Sequence, residues 1–209
     1  MISKYPGGIW IEAGPLASTG GKVWQASIDF FDFLVSTLVF TDTRPVRILE
    51  LGSGCGWLGL RLAKEYQNLS IVMTEQENFG ALEWLRHNIA LNPDIPSASA
   101  LALDWGDIPA DVVESPWDLV IGSELVYSYE GARLIPRVIK ALLLGTSSVC
   151  YYAHSLNRFE SVDECMLQEF KENGLNIEVV MGSDALVQEP GHFTELFAEL
   201  RFVVLRITN

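Results

Sequence analysis

Ile48-Leu49-Glu50-Leu51-Gly52-Ser53-Gly54-Cys55-Gly56 is the stretch that decides the fold of this 209-residue chain. Its apolar, β-rich first half stops at Gly52, as expected of a strand that is buried on both faces of a sheet. The three glycines that follow allow a tight turn and a close approach of the backbone to a ligand at the carboxyl end of that strand. We therefore predict a ligand-binding strand–loop–helix unit. The competing interpretation is a tight turn that binds nothing.

Outward from this unit, apolar runs and helical periodicities alternate along the chain. Such alternation predicts an α/β fold with a mostly parallel sheet and helices on both faces. Turn-rich sequence separates the last two strands, which predicts an antiparallel hairpin at the end of a seven-stranded sheet. Helices are predicted over 22–40, 57–66, 79–91, 132–144 and 159–173, and strands over 46–51, 70–75, 99–103, 118–123, 148–154, 176–181 and within 197–207.

Composition narrows the classes of function. Acidic residues outnumber basic ones by 27 to 14, giving a formal net charge of −13 that disfavours nucleic-acid binding. No apolar run approaches the roughly 18 residues that span a bilayer, so we expect no membrane association. Three scattered cysteines predict neither a disulfide framework nor a metal site. We expect an intracellular protein, cytoplasmic and also nuclear in some settings.

The identity of the ligand is decided by charge. Gly54-Cys55-Gly56-Trp57-Leu58-Gly59 matches the dinucleotide pattern, which is a weak signal when it stands alone. Glu50, two residues before the first glycine, would repel a pyrophosphate but suits the cationic S-adenosylmethionine. Glu75, at the end of the second strand, suits hydrogen bonds from two ribose hydroxyls in either cofactor. We therefore predict S-adenosyl-L-methionine as the cofactor and keep a nicotinamide dehydrogenase as an alternative.

Several further segments give the chain a family resemblance. Gly21-Lys22-Val23-Trp24, the glycine block, Thr74-Glu75, Leu103-Asp104-Trp105-Gly106 and the run from Asp118 to Tyr127 occur in the order typical of one group. The chain resembles the METTL21-type group of protein-lysine methyltransferases. The chain length predicts a single domain over 1–209, and the resemblance, which runs from about Gly20 to Tyr152, implies that it is a Rossmann-like methyltransferase domain with its core over 21–209. The amino-terminal segment 1–20 is expected to cover the core or to face the substrate.

The resemblance also implies roles for individual residues of the cofactor site. Trp24 would shape the pocket, Gly52, Ser53 and Gly54 would pass the methionine end, and Glu75 would hold the ribose. Trp105 would lie against the adenine, and Ser123 would close the pocket. Core packing stays open for both tryptophans, since a buried indole often only packs.

On the acceptor side, the family usually has Asp-x-x-Tyr after its fourth strand, whereas this chain has Glu124-Leu125-Val126-Tyr127. A lysine acceptor must lose its proton before it attacks the methyl group, and a nearby carboxylate and tyrosine can orient the amine. We therefore expect Glu124 and Tyr127 to be catalytic. Of the histidines, only His154 lies at a strand end that faces the ligand side, and nothing in the sequence assembles them into a site.

The resemblance implies a protein substrate with an accessible lysine, and we expect the protein to act as a monomer. Two alternatives stay open, because fold and cofactor site do not identify the acceptor. One is a methyltransferase of small molecules or of other protein residues. The other is a catalytically weak, adenosylmethionine-binding interaction protein.

Overall fold

The computed structural model describes residues 2–14, 19–38, 44–145, 147–156, 159–186 and 201–209. Its strands and helices alternate through most of the chain, as the sequence predicts. The strands are β1 (Ile2–Tyr5), β2 (Ile9–Glu12), β3 (Val46–Leu51), β4 (Leu69–Glu75), β5 (Ala98–Ala102), β6 (Leu119–Ser123), β7 (Val149–Leu156), β8 (Asn176–Leu186) and β9 (Arg201–Thr208). The helices are α1 (Gln25–Thr37), α2 (Trp57–Glu65), α3 (Ala81–Ala90), α4 (Ala110–Val113), α5 (Tyr129–Leu143) and α6 (Glu160–Glu172).

Strands β3 to β9 form one seven-stranded sheet in the order β5-β4-β3-β6-β7-β9-β8. The first five pair in parallel, and β9 pairs antiparallel with both β7 and β8. The predicted architecture is therefore confirmed. The order reverses direction at β3 and β6, and a crevice at the carboxyl ends of two such strands is where open α/β sheets bind ligands.

Apolar side chains cover both faces of the sheet, because successive residues of a strand point to opposite sides. On one face, Ile48 and Tyr151 pack with α1 and α2. On the other, Leu49 and Tyr152 pack with α5 and α6. This double burial explains why the strands read as continuous apolar runs.

The amino-terminal segment forms a hairpin, β1–β2, that the sequence analysis did not predict as strands. Ile9 and Ile11 are fully buried in the same cluster as α2. Asn92 holds the backbone of Trp10 at both its N–H and its carbonyl group, at 2.9 and 2.8 Å. Asn88 accepts from the Glu12 N–H at 2.9 Å and donates to the Cys55 carbonyl at 3.0 Å, so it joins the hairpin to the glycine loop.

Element boundaries differ from prediction by a few residues in several places. Helix α1 begins at Gln25 rather than at Lys22, because Trp24 is extended and caps it. Helix α5 begins at Tyr129, where the Ser128 side chain accepts from the Gly131 N–H. The predicted carboxyl end of the first helix, 39–40, and most of the last hairpin loop lie outside the described residues. None of the helices within the described ranges combines the length and the apolar character that a bilayer span requires.

Candidate active site

A cavity of about 660 Å³ opens at the carboxyl ends of the parallel strands. Its volume lies in the range usual for small-molecule and cofactor sites. All of the site residues predicted from the sequence line this one cavity: Trp24, Glu50, Gly52, Ser53, Gly54, Glu75, Trp105, Ser123, Glu124 and Tyr127. The fold therefore brings together residues that lie as far apart in the chain as Trp24 and Tyr127.

The glycine loop has the backbone conformation that its composition predicts. Gly52, Gly54 and Gly56 have φ values of 57°, 56° and 83°, in the left-handed region that L side chains rarely adopt. A Cβ on Gly52 would lie 2.6 Å from the Leu125 side chain, and one on Gly54 would lie 3.2 Å from Gly20. The missing side chains of Gly52 and Gly54 thus also make room for Leu125 and Gly20, a role that was not predicted from the sequence.

Glu75 lies at the end of β4, beside the glycine loop. Its Oε1 accepts from the Gly54 N–H at 2.7 Å, which fixes the carboxyl group against the loop. Burial raises the pKa of Glu75, while the hydrogen bonds from the Gly54 and Gln76 amides oppose the shift. Its Oε2 accepts from the Gln76 N–H at 3.2 Å, and the carboxyl group, which lines the cavity, can accept further hydrogen bonds.

Glu50 departs from the charge argument of the sequence analysis. Its side chain is only 3% exposed, and burial raises its pKa to about 8, helped by the charge of Glu75 and opposed by Ser53 and the Gly59 amide. The carboxyl group is therefore mostly protonated at neutral pH in the free protein. A bound cation would lower this pKa and favour the ionised carboxylate, which then attracts the cation.

The two predicted tryptophans lie on the cavity wall rather than inside the core. Trp24 is half-buried at the amino end of α1, with the Lys22 Nζ 3.6 Å from its ring centroid. Trp105 is half-buried, and its ring lies 3.4 Å from where a Cβ of Gly52 would be. Asp104 accepts from the Gly106 N–H at 2.8 Å, which makes it a turn residue.

Three buried polar atoms on the cavity wall have no hydrogen-bond partner within the described part of the chain. They are Glu50 Oε2, Trp57 Nε1 and Ser123 Oγ. Buried polar groups in folded proteins are nearly always paired, so unpaired ones that share a cavity point to a polar ligand. Together with the bare glycine loop, they fit a cofactor that carries both donors and acceptors.

Residues 124–128 follow β6, and all of them except Val126 also line the cavity; we call this segment the acceptor loop. Glu124 has a φ of 55°, which is unusual for a residue with a side chain. Leu125 is buried, and its side chain fills the space left by the missing side chains of Gly52 and Gly122. Tyr127 is 50% exposed at the mouth of the cavity, where a substrate can reach it.

Some residues of the cavity were missed by the sequence analysis. Trp57 was treated only as a spacer of the glycine pattern, and Phe159 only as the start of a helix. Phe79 also lines the cavity; it is 91% exposed and has a φ of 61°. An exposed aromatic residue in a strained conformation suggests a functional role, but a single sequence gives no signal for it. Cys55 is buried with its pKa raised to about 12 by burial, as suits a filler residue.

Comparison with known proteins places these observations in a family. A family model described as lysine methyltransferase matches residues 4–173. The chain is 30% identical to the protein N-lysine methyltransferase METTL21A of Danio rerio over 155 residues, which are 72% of this chain and 66% of that protein. It is 31% identical to EEF1A lysine methyltransferase 3 of Mus musculus over 115 residues, 54% of this chain and 47% of that protein.

Several matched relatives are considerably longer than the matched region. The match covers 38% of a UPF0665 family protein of Schizosaccharomyces pombe and 48% of a calmodulin-lysine N-methyltransferase of Arabidopsis thaliana. The chain thus spans about half the length, or less, of these curated relatives.

Solved structures agree on the fold. A methyltransferase from Pyrococcus furiosus superposes with a TM-score of 0.65 at 17% identity, over 99% of this chain and 92% of that one. TYW2 of M. jannaschii, solved in complex with AdoMet, gives 0.59 at 16% identity, over 99% and 84%. The Rossmann-like methyltransferase fold and the resemblance predicted from the sequence are both confirmed, and the chain belongs to the lysine methyltransferase family.

Proposed function

We propose that this protein transfers the methyl group of S-adenosyl-L-methionine to the side-chain amine of a lysine in a protein substrate. The observation that carries the proposal is the cavity in which the predicted cofactor and acceptor residues meet. Membership of the lysine methyltransferase family supports it. So do relatives whose names describe protein-lysine methyltransferases. Together they also favour one methyltransferase domain over 1–209.

The cofactor would lie along the glycine loop, between the walls formed by Trp24 and Trp105. Glu75 would accept hydrogen bonds from the ribose hydroxyls. Glu50 and Ser123 would supply polar contacts deeper in the cavity, where their side chains now have unpaired atoms among the described residues. When bound, the cofactor supplies an electrophilic methyl group on a sulfonium.

Transfer is an in-line displacement in which a bond forms from the lysine nitrogen to the methyl carbon while the carbon–sulfur bond breaks. Its electron pair goes to the sulfur. Because the protein adds no covalent step, alignment of the amine supplies much of the catalysis. Glu124 would orient the amine and accept its proton, and the exposed Tyr127 would contact the entering side chain. The side chain of Glu124 is one methylene longer than the usual Asp of the family.

The substrate is a protein with an accessible lysine, and the net charge of −13 favours a partner with a basic surface. The same charge disfavours direct binding of nucleic acid. A monomeric state and a cytoplasmic, in some settings also nuclear, location stay predictions from the sequence.

The test is transfer of a tritiated methyl group from labelled S-adenosylmethionine to the proteins of a cell extract, followed by acid hydrolysis and amino-acid analysis. We expect the label in methylated lysine. Glu124→Gln keeps the shape of the side chain but removes the proton acceptor, so we expect the rate to fall by about 10²- to 10⁴-fold. Arg137→Gln, on the exposed face of α5, is the matched control and should transfer like the native chain.

Label in another residue or in a small molecule would favour the alternative acceptors. The absence of label in every fraction, with adenosylhomocysteine still bound, would favour an interaction protein without transferase activity.

A further inference from the structure

A buried chain of hydrogen bonds lies directly behind the acceptor loop. The Val126 N–H donates to the Tyr152 hydroxyl oxygen at 3.2 Å. That hydroxyl lies 3.0 Å from Nδ1 of His154, and Nε2 of His154 lies 2.8 Å from Oδ1 of Asp163. Tyr152, His154 and Asp163 are 0%, 2% and 6% exposed. We call these three side chains the Tyr–His–Asp chain.

With a neutral imidazole at His154, the hydrogen bonds of the Tyr–His–Asp chain run in one direction. The hydroxyl oxygen of Tyr152 accepts from a backbone N–H, so its own proton is available for Nδ1 of His154. A neutral histidine that accepts at Nδ1 carries its proton on Nε2 and donates it to Asp163. Each member therefore donates to the next, and the chain ends on a carboxylate, which makes the last bond a strong one.

Burial keeps the phenol in the donating form. The pKa of Tyr152 is raised well above 10 by burial and by the nearby charge of Glu124, while hydrogen bonds from the Val126 and Leu125 amides oppose the shift. The side chain thus stays protonated throughout the physiological range and keeps a proton to donate.

The acceptor loop needs such support. Glu124 has a left-handed backbone, which persists in a non-glycine residue only where the surrounding structure over-determines it. The Glu124 N–H donates to the Ala153 carbonyl at 2.9 Å, Leu125 packs against Gly52 and Gly122, and the Val126 N–H donates to Tyr152. The Tyr–His–Asp chain ends at Asp163 on α6. It therefore connects the acceptor loop to a helix that contributes no predicted catalytic residue.

We propose that Tyr152, His154 and Asp163 are positioning residues that hold the acceptor loop, and with it Glu124, in the conformation needed for methyl transfer. The proposal rests on the proposed function for its catalytic consequence. The mechanical part of the proposal is the grip on the loop, by which we mean the hydrogen bond from the Val126 N–H to Tyr152. This part does not depend on which substrate is methylated. His154 therefore serves the site from behind the cavity wall, and it is absent from the cavity lining.

The test compares Tyr152→Phe with Tyr151→Phe. Both substitutions remove one hydroxyl from a buried tyrosine of β7, but Tyr151 points to the opposite face of the sheet and packs against Phe33. Hydrogen exchange is measured at the amides of the acceptor loop. We expect the Val126 amide to exchange at least about fivefold faster in Tyr152→Phe, as for loss of one ordinary hydrogen bond, and unchanged in Tyr151→Phe.

Activity is then measured as transfer of the tritiated methyl group from labelled, saturating S-adenosylmethionine to the extract proteins. We expect the transfer rate of Tyr152→Phe to fall at least about tenfold, with the dissociation constant of adenosylhomocysteine changed less than about twofold. Asp163→Asn keeps the size of the side chain and removes the charge, and we expect a smaller loss in the same direction.

Unchanged exchange at Val126 in Tyr152→Phe, or equal acceleration in both tyrosine variants, would overturn the grip on the loop. Faster exchange with an undiminished transfer rate would overturn its link to catalysis. If the native chain transfers no methyl group at all, the proposed function fails, while the exchange result still decides the mechanical part.

Discussion

Glu50→Gln gives the sharpest thermodynamic test of the site, because it removes one buried ionisable group and little else. The pKa of Glu50 rises from its ordinary value of 4.5 to about 8 in the folded protein. Folding therefore retains a proton that the unfolded chain releases above pH 4.5. The stability contributed by this group is complete below pH 4.5 and is lost as the pH rises to about 8.

The size of the effect follows from the shift. Each pKa unit corresponds to 1.36 kcal/mol, so the full loss between pH 4.5 and 8 is at most about 5 kcal/mol. Glutamine cannot ionise and has nearly the same shape. Relative to the native chain, Glu50→Gln should thus gain about 3–5 kcal/mol in unfolding free energy between pH 5 and pH 8.5.

Urea unfolding of the ligand-free protein at these two values of pH measures the gain. Other titrating groups are common to both proteins and cancel in the difference. A difference between native and variant that is the same at pH 5 and pH 8.5 would refute the assignment of a neutral, buried Glu50. Calorimetry in two buffers of different ionisation enthalpy adds a second readout: S-adenosylmethionine should release a proton on binding to the native chain near pH 7, and release less on binding to Glu50→Gln.

Two further substitutions test the cofactor wall and the amino-terminal cover. Trp105→Ala should weaken adenosylhomocysteine binding about tenfold or more, because stacking of a base on an aromatic ring contributes about 1–3 kcal/mol. The control is Trp10→Ala, on a strand outside the cavity, which should leave the affinity measured by calorimetry unchanged. Asn92→Ala removes both hydrogen bonds to the Trp10 backbone and should lower the unfolding free energy by about 1–3 kcal/mol. Hydrogen exchange at the Trp10 amide should become faster. Native-like exchange there would show that the hairpin is held by its apolar side chains alone.

The parallel core of the fold was predictable from the sequence because it depends on local signals. A strand buried on both faces is a continuous apolar run, as in Val46–Leu51, and the glycines after it require positive φ angles. The β1–β2 hairpin was missed for the opposite reason. Its strands are four residues long, and their partners, Asn88 and Asn92, lie about 80 positions away.

The cavity was predicted as a set of residues but not in its electrostatics. The sequence places Glu50 two residues before the first glycine, where a charged carboxylate is the natural assumption. In the fold, Gly59 of α2 packs against its carboxyl group and helps to bury it. The Tyr–His–Asp chain was likewise beyond prediction. Tyr152 and His154 share a face of one strand, but Asp163 comes from a helix whose docking angle no local pattern encodes.

The central claim is that the cavity binds S-adenosylmethionine, and isothermal calorimetry with adenosylhomocysteine, beside NADH, tests it most directly. We expect adenosylhomocysteine to bind the native chain and to raise its unfolding free energy by roughly 2.7 kcal/mol at a hundredfold excess over the dissociation constant. NADH should give no heat, and Glu75→Ala should lose the binding. Binding of NADH, or undiminished binding of adenosylhomocysteine to Glu75→Ala, would contradict the account.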